Sequence, residues 1–194
     1  MTPTPLSLLE RLKRPKPDAS DWHRLQQIYP PLIRSWLSSV PGLRDEADDL
    51  TQEVLVILFR ELPAFERRRD GSFGAWMRQI TANRIRAFRR ARHRRPLVGL
   101  GREVDLLLAQ LADANSDLAR RWDSDHDKHV SQRLLTIVRR DFEPKTWKAF
   151  HRFALEGATA AEVARELGVS EATVIQAKYR VLKRLRQEAG ELLE

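Results

Sequence analysis

The chain has 194 residues, 35 Lys and Arg against 27 Asp and Glu, a net charge of +8 and no cysteine. That length holds one large domain or two small ones, and the aliphatic content excludes global disorder. The missing cysteines exclude disulfides and thiolate metal sites and fit a reducing, cytoplasmic compartment. The N-terminal apolar run is too short for a signal peptide, and no stretch reaches the roughly 20 apolar residues of a membrane span.

The charge is unevenly placed. Residues 60–95 carry 12 basic and 3 acidic groups, whereas residues 96–128 carry 4 basic and 7 acidic. Residues 129–194 are basic again, 12 against 9. A basic block of this density reads as a phosphate-binding surface. Its bland alternatives are a solvated helix face or a membrane-surface helix.

The chain reads as helix almost throughout, with Gly and Pro marking the joints. Ser7 to Glu10 fits a capping box for a short first helix that Pro15 and Pro17 end. A second helix starts near Asp21, breaks at Pro30-Pro31 and resumes through Leu37. Val40-Pro41-Gly42 is a turn. Asp45 to Leu62 predicts a strong helix, with Ala47, Leu50, Val54, Ile57 and Leu58 on one face. After a loop at Asp70-Gly71, Gly74 to about Arg94 is helical, with Trp76, Ile80, Asn83 and Ala87 on successive turns. Residues 97–127 read as an acidic linker, with a short helix from Val104 to Leu111 and no evident core. Four more helices are predicted over 128–140, 144–155, 160–167 and 171–189. The fold class is therefore all-α: two small helical domains, 1–96 and 128–194, joined by the linker 97–127.

The strongest local signal is a helix-turn-helix over 159–187. Thr159 to Glu162 forms a capping box, Ala164 is small where two helices meet, and Gly168 suits a left-handed turn. Val169 plugs the turn, and Ser170 caps a second helix. Val174, Ala177, Val181 and Leu185 recur at helical spacing and face inward. Ile175, Gln176, Tyr179, Arg180 and Lys183 fall on the other side, where Gln and Arg suit base edges and Ile a thymine methyl. Lys183, Arg184 and Arg186 suit phosphates. The alternative is an ordinary helical hairpin packed in a core; the polar, basic outward face weighs against it.

The middle of the chain carries a second signal. Seven of the twelve residues from Arg84 to Arg95 are Arg, and Phe65, Phe73 and Trp76 lie upstream. Basic groups beside aromatics suit single-stranded or melted nucleic acid, the Arg side chains on the backbone and the rings on bases. Trp76 reads as core. Phe73 reads as a loop residue between Gly71 and Gly74.

Together these segments resemble the extracytoplasmic-function (ECF) sigma factors of bacterial RNA polymerase. Asp45-Glu-Ala-Asp-Asp-Leu-Thr-Gln-Glu-Val54 is similar to the family's core-polymerase-binding motif. Phe73 to Arg84 and the Arg run resemble its −10 and promoter-melting region. Phe142 to Trp147 and Val163 to Arg186 resemble its −35-binding domain. The wording is most similar to planctomycete-type members. The resemblance implies a non-enzymatic subunit whose partners are core RNA polymerase, through its largest and second-largest subunits, and promoter DNA. It implies core-polymerase binding by Asp48, Asp49, Gln52 and Glu53. It implies −10 binding by Ser72, Phe73, Asn83, Arg86, Arg89 and Arg90, and −35 binding by Ile175, Gln176, Tyr179, Arg180 and Lys183. It also admits an anti-sigma protein as partner. Two positions depart from the pattern: Ala87 stands where the family often has Asp or Asn, and Ile175 where many members are polar or basic.

Two other classes compete. A stand-alone helix-turn-helix regulator with an N-terminal sensor or dimerisation domain needs neither the Asp48–Glu53 motif nor the Arg run. An enzyme acting on nucleic acid would need a reactive constellation. His23, His93, His126, His129 and His151 show no HExxH spacing, and no Gly-rich phosphate loop or nucleophile elbow occurs. No motif calls for a cofactor or metal, and no segment for membrane insertion.

Overall fold

The computed structural model describes residues 7–66, 73–92 and 101–192, and among these it contains helices and no strand. Two compact units divide the chain, built mainly from Leu9–Ser131 and Gln132–Gly190.

The N-terminal unit opens with α1 (Leu8–Leu12) and α2 (Ala19–Ser39), the latter capped by the Asp18 carboxylate, which accepts from the Ser20 N–H at 2.7 Å. The prolines predict a break in α2, but the helix continues through both Pro30 and Pro31. Packing overrides the local cost of the two missing N–H groups. Leu25, Ile28, Tyr29, Leu32, Ile33 and Leu37 are all buried on that helix, each such side chain contributing on the order of 1.5–3 kcal/mol. His129 Nε2 donates to the Ile28 carbonyl at 2.7 Å, in the turn that holds the prolines. Gly42, at φ 75°, turns the chain toward α3 (Ala47–Glu61), which packs on α2. α4 (Phe73–Arg92) packs on α3. Phe73, Met77, Ile80, Ala82 and Ile85 are its buried apolar residues, while Trp76 is only half-buried.

The acidic segment differs most from its sequence reading. It forms α5 (Gly101–Ala112), packed on α4, and the start of α6 (Asp117–Val138). Val104, Leu108, Leu111, Ala119 and Trp122 are buried. The Ser116 hydroxyl accepts from the Ala119 N–H at 3.0 Å and so caps α6. The Trp122 ring lies 4.6 Å from that of Trp36. The segment lacked a legible core because its partners lie far away in sequence, on α2 and α4.

The C-terminal unit takes the end of α6, then α7 (Pro144–Phe150), a wider helical turn over His151–Leu155, α8 (Ala160–Leu167) and α9 (Glu171–Ala189). Pro144 opens α7 at a position where its missing N–H costs nothing. Ala149, Val163, Ala164, Val174 and Ala177 form the core, with Phe153, Leu167 and Val169 packed against it.

Candidate nucleic-acid interface

In the C-terminal unit the helix-turn-helix is built by local chemistry. Thr159 Oγ1 accepts from the Glu162 N–H at 3.2 Å, and Glu162 Oε2 accepts from the Thr159 N–H at 2.8 Å. The Thr159 N–H holds the Glu162 carboxyl below its ordinary range. Gly168 ends α8 at φ 61° and ψ 49°, a conformation that costs a residue with a Cβ about 1 kcal/mol or more. The Ser170 hydroxyl accepts from the Thr173 N–H at 3.2 Å and starts α9. An ion-pair group braces α7 and the wider turn after it against α8: Lys148 and Arg152 both reach Glu166, at 2.9 and 3.0 Å.

That frame leaves one face of α9 open. Val174, Ala177 and Val181 point into the core, whereas Ile175, Gln176, Tyr179, Arg180 and Lys183 are exposed. Ile175 and Tyr179 are 53% and 67% accessible, large values for apolar side chains in a folded unit. Gln176 and Arg180 also border a cleft of about 230 Å³ with Lys145, Thr146 and Thr173. The sequence placed Phe142–Trp147 in the −35 domain without singling out Lys145 or Thr146, which reach this face only because the fold sets α7 beside it. Arg184, expected on a phosphate, is instead an internal brace. It pairs at 2.8 Å with both Asp141 and Glu188, and the Glu188 side chain is fully buried.

In the N-terminal unit, α4 presents Asn83 and Arg90 as exposed and Arg86 and Arg89 as half-buried. Asn83 Oδ1 accepts from Gln79 at 3.1 Å and from Arg86 at 2.9 Å. Arg86 also donates to the Leu108 carbonyl at 2.9 Å, and Arg89 ion-pairs with Asp105. Ser72 lies outside the described residues. Phe73 corrects its sequence reading as a base-stacking residue. It is 1% exposed, with ring centroids 5.4 Å from Tyr29 and 5.3 Å from Phe65 and Trp76, so no face is open to a base.

The four acidic-motif residues lie together and exposed along α3. Asp48 pairs with Arg34 of α2 at 2.5 Å, and Glu53 with Arg84 of α4. Asp49 and Gln52 are exposed beside Val56, which is 63% accessible. A carboxylate-bearing face with an apolar centre suits a protein better than a polyanion.

An all-α chain with a basic helix in one unit and a helix-turn-helix in the other falls in the class of DNA-binding transcription proteins. Residues 25–95 match the sequence model for sigma-70 region 2, and residues 136–187 that for sigma-70 region 4. The two regions together span most of the chain, which belongs to the sigma-70 family of sigma factors. It is 27% identical over 182 residues to the ECF RNA polymerase sigma factor BldN of Streptomyces coelicolor, spanning 93% of this chain and 64% of that one. It is 26% identical over 170 residues to the probable RNA polymerase sigma factor RfaY of Xanthomonas campestris pv. campestris, spanning 84% and 40%. The chain thus spans less than two thirds of the length of either relative. A chain of the solved RsbN–BldN complex is 21% identical, with 92% of this chain and 97% of that one covered and a TM-score of 0.34. The family assignment rests on the two sequence models. Neither relative supports the expected nearness to planctomycete-type members. Among the described residues no helix is long and apolar enough to cross a membrane.

Proposed function

We propose that this protein docks on core RNA polymerase and directs it to promoters through two DNA grips. The observation that carries this reading is the division of labour among three surfaces: acidic on α3, arginine-rich on α4 and mixed polar and basic on α9. Asp48, Asp49, Gln52 and Glu53 contact the largest polymerase subunit. Asn83, Arg86, Arg89 and Arg90, with Ser72, hold the −10 strand. Ile175, Gln176, Tyr179, Arg180 and Lys183 read the −35 duplex in the major groove, as second helices of helix-turn-helix units do. Residues 1–96 supply the first two contacts and 128–194 the third, with 97–127 between them. The work is binding and positioning, without chemistry of the protein's own, in the compartment where polymerase works. The reading also admits an inhibitory anti-sigma partner.

The test is a pull-down from the native cell with the full chain as bait. Recovery of both large polymerase subunits supports the reading, and a co-purifying small protein would be the inhibitor candidate. Asp49→Lys and Gln52→Ala together should reduce polymerase recovery at least about tenfold, the scale of an interface hot spot. Polymerase-free eluates from the wild-type bait would sink the reading.

A further inference from the structure

Helix α5 lies antiparallel on the arginine face of α4. The pairs run in opposite directions along the two helices: Arg86 with the Leu108 carbonyl, then Arg89 with the Asp105 carboxylate one turn on and one turn back. The contact is anchored, because Val104, Leu108 and Leu111 of α5 are buried. It also covers what it touches: the Arg89 side chain is only 15% accessible, while Asp105 is 70% accessible. A guanidinium binds carboxylate and phosphate oxygens with the same fork of N–H donors. A carboxylate seated on Arg89 makes the kind of contact that a backbone phosphate would make.

We propose that α5 is a built-in mask, a helix whose Asp105 carboxylate and Leu108 carbonyl occupy the strand-binding arginines of α4 and must release them before Arg86 and Arg89 can hold DNA. This rests on the reading of α4 as the −10 helix. The apolar side of α5 stays anchored; what a polyanion competes with are the polar contacts, the Arg89–Asp105 pair, open to water through Asp105, and the Arg86 bond to the Leu108 carbonyl. The effect of the mask is to lower the affinity of the free protein for stray single strands while leaving Arg90, exposed on the same helix, to begin an encounter.

The experiment measures binding of the free full-length protein to a fluorescein-labelled, mixed-sequence single strand by anisotropy at low salt. Asp105→Asn should tighten binding about two- to fivefold, the range of one exposed ion pair. Glu103→Gln removes the same charge from an exposed position of the same helix and should do less. The gain should vanish in the Arg89→Ala background. An equal gain from Glu103→Gln, a gain that persists with Arg89→Ala, or no strand binding by any variant would overturn the mask. A parallel arm follows promoter opening by polymerase carrying each variant. Loss of opening with Arg89→Ala, with no gain from Asp105→Asn in the strand assay, sinks the mask and leaves the −10 reading standing. Opening unaffected by Arg86→Ala and Arg89→Ala sinks the −10 reading itself.

Discussion

Arg78 of α4 is buried and donates through one nitrogen to two acceptors of α6, the Asp123 carboxylate at 2.6 Å and the Ala119 carbonyl at 3.0 Å. Its side chain is 6% accessible and that of Asp123 30%. The pair ties the basic helix to the acidic segment that follows it. Removing one member of a buried pair costs several kcal/mol, but water at Asp123 screens part of that. Arg78→Ala should destabilise the N-terminal unit by about 2 kcal/mol, read as a lower urea midpoint. A midpoint within error of wild type would mean the segment is not held by this contact.

Gly74 abuts the His126 ring. A Cβ on Gly74 would lie 2.9 Å from Nδ1 and 3.0 Å from the adjacent ring carbon. The ring cannot retreat easily, because it stacks on Tyr29 with centroids 5.9 Å apart. Gly74→Ala should cost about 1–3 kcal/mol by overpacking, although alanine favours helix in isolation. A stabilised Gly74→Ala variant in thermal melts would contradict this.

His126 also sets a pH dependence. Burial lowers its pKa below the ordinary 6.5, against the upward pull of Asp127 and Asp123 and with His129 adding to the depression. Above about pH 6.5 folded and unfolded chains both keep the ring neutral, so its contribution to stability is whole. As pH falls below that value the unfolded chain takes up a proton that the folded chain resists, and stability declines toward the folded pKa. The urea midpoint should therefore drop as pH falls below about 6.5, and His126→Phe should flatten the slope. An unchanged slope in His126→Phe would assign the dependence to other groups.

The recognition unit offers a separable pair of tests. Thr159→Ala removes the capping-box hydroxyl and should cost about 1 kcal/mol without altering base preference. Arg180→Ala should leave the melt unchanged and weaken −35 duplex binding by about 1–3 kcal/mol, relaxing preference at one position. Equal effects of Arg180→Ala on every duplex sequence would make it a phosphate contact instead. Binding of the full protein to duplex should also fall steeply with salt, as phosphate contacts release counterions. A flat response would argue against a DNA role for the face.

Much of the C-terminal unit was legible because its signals are local. Thr159, Glu162, Gly168 and Ser170 each act within four residues, so the caps and the turn could be read off spacing alone. The outward register of Gln176 and Arg180 followed from the inward Val174, Ala177 and Val181. What failed depended on distant partners. Arg184 has one partner in plain reach, Glu188 four residues on, but nothing near it announces that Glu188 is buried or that Asp141, before α7, also claims it. Phe73 looked like a loop residue between glycines, yet Tyr29 and Phe65 enclose it. The prolines of α2 were read by their local cost, and the buried face around them prevailed. The acidic segment looked coreless for the same reason, since Val104 and Trp122 find their partners on other helices.

The most direct measurement of the central claim is transcription in vitro. Purified cognate core polymerase is mixed with this protein and fragmented genomic DNA, and transcript 5′ ends are sequenced. The account predicts discrete start sites absent with core alone, sharing elements near −10 and −35, and lost when Asp49→Lys is combined with Gln52→Ala. Start sites no different from those of core alone would contradict it.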